Sequence, residues 1–268
     1  MTSVYTPIEA TIFSAINKSE TGDPAPPAAA EAFTIVMRTT GASETVTLPL
    51  AGFAGSNDVD WGDGSSVETV SSQNPTHVYA VADDYTIEIT GSGAGQFSFN
   101  NGGDRLKLRE IVAWGTDFDV SLLNFRGCSN LQTADNLGTS GAALTNISRL
   151  FEGCSSVTAV DVSGLDTSSV TNMLGAFQFC TALASINGLA DLDVTGLAGT
   201  DLNNLLNGAN NALSTAEYNA VLVGWEAQAV NNSLAPHFGD ATYDGAGATA
   251  RAALIADHSW TITDGGPA

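Results

Sequence analysis

Three cysteines recur at a spacing of 26 residues, Cys128, Cys154 and Cys180, each inside the same phrase: Phe125-Arg-Gly-Cys, Phe151-Glu-Gly-Cys and Phe177-Gln-Phe-Cys. A fixed period in this range means stacked structural units, each adding its apolar residues to one continuous core. The phenylalanines and cysteines then read as ladders through that core. An odd cysteine count at ladder spacing argues against a disulfide framework.

After each cysteine, apolar residues nearly alternate: Val157, Val160 and Val162 in one unit, Leu183, Ile186 and Leu189 in the next. That pattern predicts a strand with one buried face. Leu144–Leu150 and Val170–Ala176 precede their Phe-x-x-Cys at identical offsets and predict a short helix in each unit. The period and the strand-plus-helix unit together point to a solenoid of the leucine-rich type over residues 104–212. A degenerate fourth unit, Leu202–Ala209, puts Ala209 in the cysteine's place after a slip of three residues, as expected of a terminal repeat.

On either side the pattern changes. From Phe33 it has period two, with strands expected over 33–38, 44–50, 59–64 and 77–89, which make a small β-sandwich over residues 33–103. Downstream, Ser214 with Glu217 three residues on forms a capping box before Tyr218–Trp225, and Gly247–Ile255 reads as a second helix. Two helices and a final strand near Trp260 would close the open end of the solenoid as a capping module over 213–268.

Particular residues carry two resemblances. Asp60-Trp-Gly-Asp-Gly-Ser65, His77-Val-Tyr79 and Tyr85-Thr-Ile-Glu-Ile89 resemble the PKD-like immunoglobulin fold, although Asp83-Asp84 stands where that family carries a Pro-Gly turn. Leu106–Gly115, Phe125–Leu131 and Leu165–Met173 resemble the BspA-like leucine-rich repeat surface proteins over about residues 105–210. Leu213–Tyr218, Leu222–Trp225, Tyr243 and Arg251–Gly266 are similar to the module that closes many such repeats. The expected fold class is therefore multidomain β plus α/β: a small immunoglobulin-like β-sandwich, a short leucine-rich repeat solenoid and an α/β C-terminal cap. The resemblance implies adhesion.

Charge narrows the partners. Lys plus Arg number 8 against 29 Asp plus Glu, a formal charge of −21 that repels nucleic acid and anionic lipid headgroups. Four of the basic residues, Arg105, Lys107, Arg109 and Arg126, fall together at the start of the solenoid and make a small basic patch fit to meet an acidic partner. No run approaches the roughly 18 apolar residues of a membrane span, so membrane insertion is not expected. The first residues show neither a basic nor an apolar leader region, and export by the general secretory route is not expected.

Residues 1–32 read as a separate docking arm and Pro/Ala-rich linker, the latter at Gly22–Ala30. Val4, Ile8, Ile12, Phe13 and Ile16 are spaced for a short amphipathic docking helix.

Candidate chemistry is sparse. Asp58, Asp60 and Asp63 could offer oxygens to calcium, the one cofactor considered, but their spacing is not that of an EF-hand loop, and Asp63 beside glycine more commonly caps its own turn. His77, His237 and His258 lie in separate segments without zinc spacing. No nucleophile elbow, phosphate loop or dinucleotide fingerprint occurs, so no catalytic residue is expected.

The expected function is non-enzymatic: a bacteriophage virion component, such as a decoration, tail or fibre protein. Its arm would dock onto other virion proteins while the repeat face meets a host-surface protein or glycan, as a monomer or a homo-oligomer. An extracellular or cell-surface adhesin is the alternative location and role, and an accessory module of a polysaccharide-degrading system is the third.

Overall fold

A computed structural model of the chain describes residues 32–115, 118, 120–135, 137–138, 144–209 and 212–268. The docking arm and its residues Val4, Ile8, Ile12, Phe13 and Ile16 lie outside the described residues. What is described is mostly β, in several sheets, with two α-helices.

The N-terminal part contains β1 (Phe33–Arg38), β2 (Glu44–Thr47), β3 (Leu50–Ala51), β4 (Asn57–Asp60), β5 (Glu68–Val70), β6 (Thr76–Tyr79), β7 (Asp84–Thr90) and β8 (Gln96–Ser98). Alternation sets the faces: Phe33, Ile35 and Met37 of β1 point inward, as do Ile87 and Ile89 of its antiparallel partner β7. Phe33 anchors this core, stacked on Phe118 at 4.7 Å and edge-on to Phe97 at 5.0 Å. Strands β2 and β6 form a separate antiparallel pair.

The chain continues with β9 (Leu108–Ala113), β10 (Leu122–Asn124), β11 (Thr133–Ala134), β12 (Ala159–Asp161) and β13 (Ser185–Asn187). Strand β9 adds antiparallel to the free side of β1, with two register shifts, and parallel to β11, so one sheet of eight strands runs in the order β13-β12-β11-β9-β1-β7-β4-β5. The boundary expected at 103/104 therefore falls within a region joined by one continuous sheet.

The 26-residue period appears as register. Gln96 pairs with Leu122, Thr133 with Ala159 and Ala159 with Ser185, all parallel. The ladder thus begins at β8, inside the stretch read from sequence as sandwich, and Gly102 closes a turn onto Phe99 as Cys128 does onto Phe125. Phe125 stacks on Phe151 at 5.4 Å and Phe151 on Phe177 at 5.8 Å, both 15° from parallel.

The short helices expected before each Phe-x-x-Cys do not form. The amides of Ile147, Arg149, Phe151 and Gly153 donate to Asn172, Leu174, Ala176 and Gln178 of the next rung, while the intervening Leu150, Glu152 and Cys154 donate three residues back. Every second amide is spent between rungs, so the i to i−4 bonds of a helix have no donors. Arg149 and Gly153 are left-handed, with φ of 58° and 76°, which stops a right-handed helix.

The C-terminal part is α1 (Thr215–Glu226), β14 (Thr242–Tyr243), α2 (Gly245–His258) and β15 (Gly266–Pro267). Helix α1 starts in the expected capping box: Glu217 N–H donates to Ser214 Oγ, and Ser214 N–H donates to Glu217 Oε2 at 2.8 Å. The strand expected at Trp260 is reduced to a bridge between His237 and Thr263 and the short pair of β14 with β15. Tyr218 packs against Phe238 at 4.8 Å and donates its hydroxyl to Asp264, which also takes Arg251 Nε at 2.7 Å.

Candidate binding surface

The Asp-Trp-Gly-Asp-Gly turn uses its carboxylates locally. Asp58 accepts from Thr69 Oγ1 at 2.6 Å, Asp60 from the Gly62 amide at 2.9 Å, and Asp63 from the Ser65 amide at 3.0 Å. Asp63 Oδ2 also meets His77 Nε2 at 2.8 Å, and the Ser65 and His77 hydrogen bonds hold its carboxyl well below the usual range. The His77 ring stacks on Trp61 at 5.0 Å, while Tyr79 donates to the Trp61 carbonyl. The motif ties the turn that follows β4 to β6. Among the described residues no three His, Cys, Asp or Glu side chains form a group able to hold a metal ion.

Asp84 forms an ion pair with Arg38 across β1 and β7, and Asp83 offers its carbonyl to the Thr39 amide at 2.9 Å.

The ladder residues named from sequence are all buried. Phe125, Phe151, Phe177, Cys128, Cys154 and Cys180 are at most 1% exposed, and the cysteines are free thiols. Ala209 takes the fourth cysteine position, its amide closing onto Leu206 as Cys180 closes onto Phe177. These residues build the surface without facing it.

The basic patch divides. Lys107 lies between Glu44 and Asp104, at 3.1 and 3.0 Å, and donates to the Thr45 carbonyl, so it fastens β2 to the start of the coil. Arg126 reaches along the ladder to Glu152 at 3.0 Å, and Arg149 approaches the other oxygen of the same carboxylate at 3.3 Å. Arg105 and Arg109 each bury an Nε without a hydrogen-bond partner.

Beside this cluster runs a column of left-handed residues: Asn101, Gly127, Gly153, Phe179 and Gly208, with φ of 63°, 77°, 76°, 61° and 77°. Their amides donate from rung to rung, Gly127 to Glu152, Gly153 to Gln178 and Phe179 to Asn207, which locks the column in that conformation. Glycine takes it freely, but a phenylalanine held there costs about 1–3 kcal/mol. Phe179 is moreover half exposed, at 50%. Sequence reading placed Phe177-Gln-Phe-Cys in the ladder and missed this residue. The signal was the break in a column otherwise filled by glycine in that phrase.

No protein-family model, curated protein or solved structure matches this chain.

Proposed function

We propose that this chain is a non-enzymatic attachment protein, working as a bacteriophage virion component of the decoration, tail or fibre kind. In this reading residues 1–32 anchor it to other virion proteins, and the stacked coil is displayed outward. The observation that carries the reading is the eight-stranded sheet, which fuses the N-terminal β module to the coil through β1 and β9. Such a fusion holds an extended surface at a fixed angle to its base, which serves attachment.

The same proposal takes the N-terminal module as a PKD-like immunoglobulin-type sandwich and the stacked part as a short leucine-rich repeat coil. Supporting the first is the Trp61, Asp63, His77 and Tyr79 cluster, and supporting the second is the register of 26 residues. The placement of polar chemistry agrees with a structural role, since Asp63–His77, Lys107–Glu44 and Arg251–Asp264 each tie one element to another.

Mass spectrometry of purified particles and of cell envelopes from the native source tests the placement. Recovery in particles at stoichiometric copy number is expected, together with loss of incorporation when residues 1–25 are deleted. Recovery confined to envelopes or medium overturns the virion reading in favour of a cell-surface adhesin.

A further inference from the structure

We infer that the strip of surface over Gly153, between Phe179 and the guanidinium groups of Arg105 and Arg149, binds a carboxylated saccharide. This deepens the attachment reading and rests on it for its biological sense, not for its geometry.

The strip is bounded at both ends. At one end the Asn101 and Arg105 side chains lie over Gly127, where an added Cβ would come within 2.2 Å of Asn101 Oδ1 and 3.1 Å of Arg105 Cδ and Nε. At the other end the Phe179 ring leans over Gly208, with Cδ1 2.7 Å from an added Cβ. Above Gly153 itself, a Cβ would meet only the backbone of Gly127, at 3.8 Å. An open place one rung wide therefore lies between an exposed aromatic ring and planar polar groups.

Charge selects the ligand. In a chain of net charge −21, three of eight basic residues gather here: Arg126 and Arg149 share the carboxylate of Glu152, and the Arg105 side chain lies over Gly127. Arg149 keeps 47% of its side chain exposed. Guanidinium groups present their donors in a plane that matches a carboxylate. The Phe179 ring offers the apolar face on which a sugar ring can lie.

An acidic peptide fits less well. The amides of Gly127, Gly153 and Phe179 are already spent on the next rung, so the column presents no free edge for strand addition. From Gly127 to Phe179 is two strand spacings, roughly 10 Å, short of the roughly 17–20 Å of a five- or six-residue strand.

Isothermal titration of the full chain with trigalacturonate, sialyllactose, maltotriose and a deca-glutamate peptide tests the inference. At least one of the two acidic sugars should bind, with maltotriose and the peptide at least tenfold weaker. Phe179→Gly should lose binding at least tenfold while its Tm stays equal to or above wild type, because glycine suits the backbone that phenylalanine strains. Arg149→Gln should weaken the acidic sugar without changing the Tm. Absence of binding by both acidic sugars overturns the inference, as does equal binding of the peptide. Undiminished binding by Phe179→Gly with a lowered Tm would make Phe179 a structural residue instead. Particle recovery without sugar binding sinks this inference alone, whereas sugar binding by a chain found only in envelopes sinks the virion placement alone.

Discussion

Cys180 donates its thiol to the carbonyl of Phe151, one rung below, at 3.0 Å, and Cys154 donates likewise to Phe125 at 3.2 Å. Each of these carbonyls already accepts the amide of its own rung's cysteine, Cys154 on Phe151 and Cys128 on Phe125. The thiol therefore takes the second lone pair and links successive rungs within the core.

Burial pushes the Cys154 and Cys180 thiols far above their ordinary range, and reactivity belongs to the thiolate. The folded protein should give no reaction with a thiol-specific disulfide reagent at pH 8, and three equivalents after denaturation. Rapid labelling of the native chain would mean that the rungs open.

Gly62 and Gly64 sit in one turn with nearly equal φ, 75° and 82°, but in different surroundings. A Cβ on Gly62 would stand 2.1 Å from the Thr86 carbonyl oxygen, whereas one on Gly64 meets nothing within 4 Å. Gly64→Ala should cost only the left-handed strain of about 1–2 kcal/mol. Gly62→Ala must displace β7 as well, so its denaturation midpoint should fall much further. Equal midpoints would show that the turn moves freely away from β7.

Acid should weaken the join between the β module and the coil. The Thr40 amide, and then Lys107, hold Glu44 down at about 2. A carboxylate depressed in the folded state adds stability that is full above its unfolded value of about 4.3 and disappears as pH falls through the folded value. Asp63 acts in the same direction. Wild type should therefore lose stability between pH about 4.5 and 2, and Glu44→Gln should lose less over that interval. Parallel curves for the two proteins in urea titrations at pH 7, 4 and 2.5 would remove Glu44 from the account.

Much of this was legible because it is local or periodic. Phe125, Phe151 and Phe177 declare the rung, and Ser214 with Glu217 declares the start of α1, since both patterns are fixed by spacing along the chain. The left-handed backbone at Arg149 and Phe179 was not legible, because their side chains carry no preference for it and the rung-to-rung amides impose it. The pairing of β9 with β1 is equally silent, being made across some 75 residues of sequence. The first rung was hidden for a simpler reason. Phe99 stands one period before Phe125, but Gly102 replaces the cysteine that marks the others. The exposed Phe179 falls outside the core logic that made its neighbours readable.

The end of the coil yields the sharpest stability test. Trp225 in the last turn of α1, and Gln228 and Asn231 beyond it, stand three residues apart and reach Leu189, Leu192 and Thr195, each 36 residues earlier. Gln228 uses both ends of its amide, accepting from the Val194 N–H at 2.9 Å and donating to the Leu192 carbonyl at 3.0 Å, as a neighbouring rung would. Asn231 Nδ2 donates to the Thr195 and Leu197 carbonyls, both at 2.9 Å. Gln228→Ala leaves a donor and an acceptor unpaired in a part-buried place and should cost about 1–3 kcal/mol. Asn231→Ala, whose bond to the Thr195 carbonyl is exposed, should cost about 1 kcal/mol or less. Hydrogen exchange separates this from a general loosening. In Gln228→Ala the Val194 amide should exchange faster, while that of Asp193, bonded to Thr167 Oγ1 at 2.7 Å, keeps its protection. If both amides accelerate together, the whole terminal rung has frayed, and the side-chain amide is one contributor among many to holding it closed.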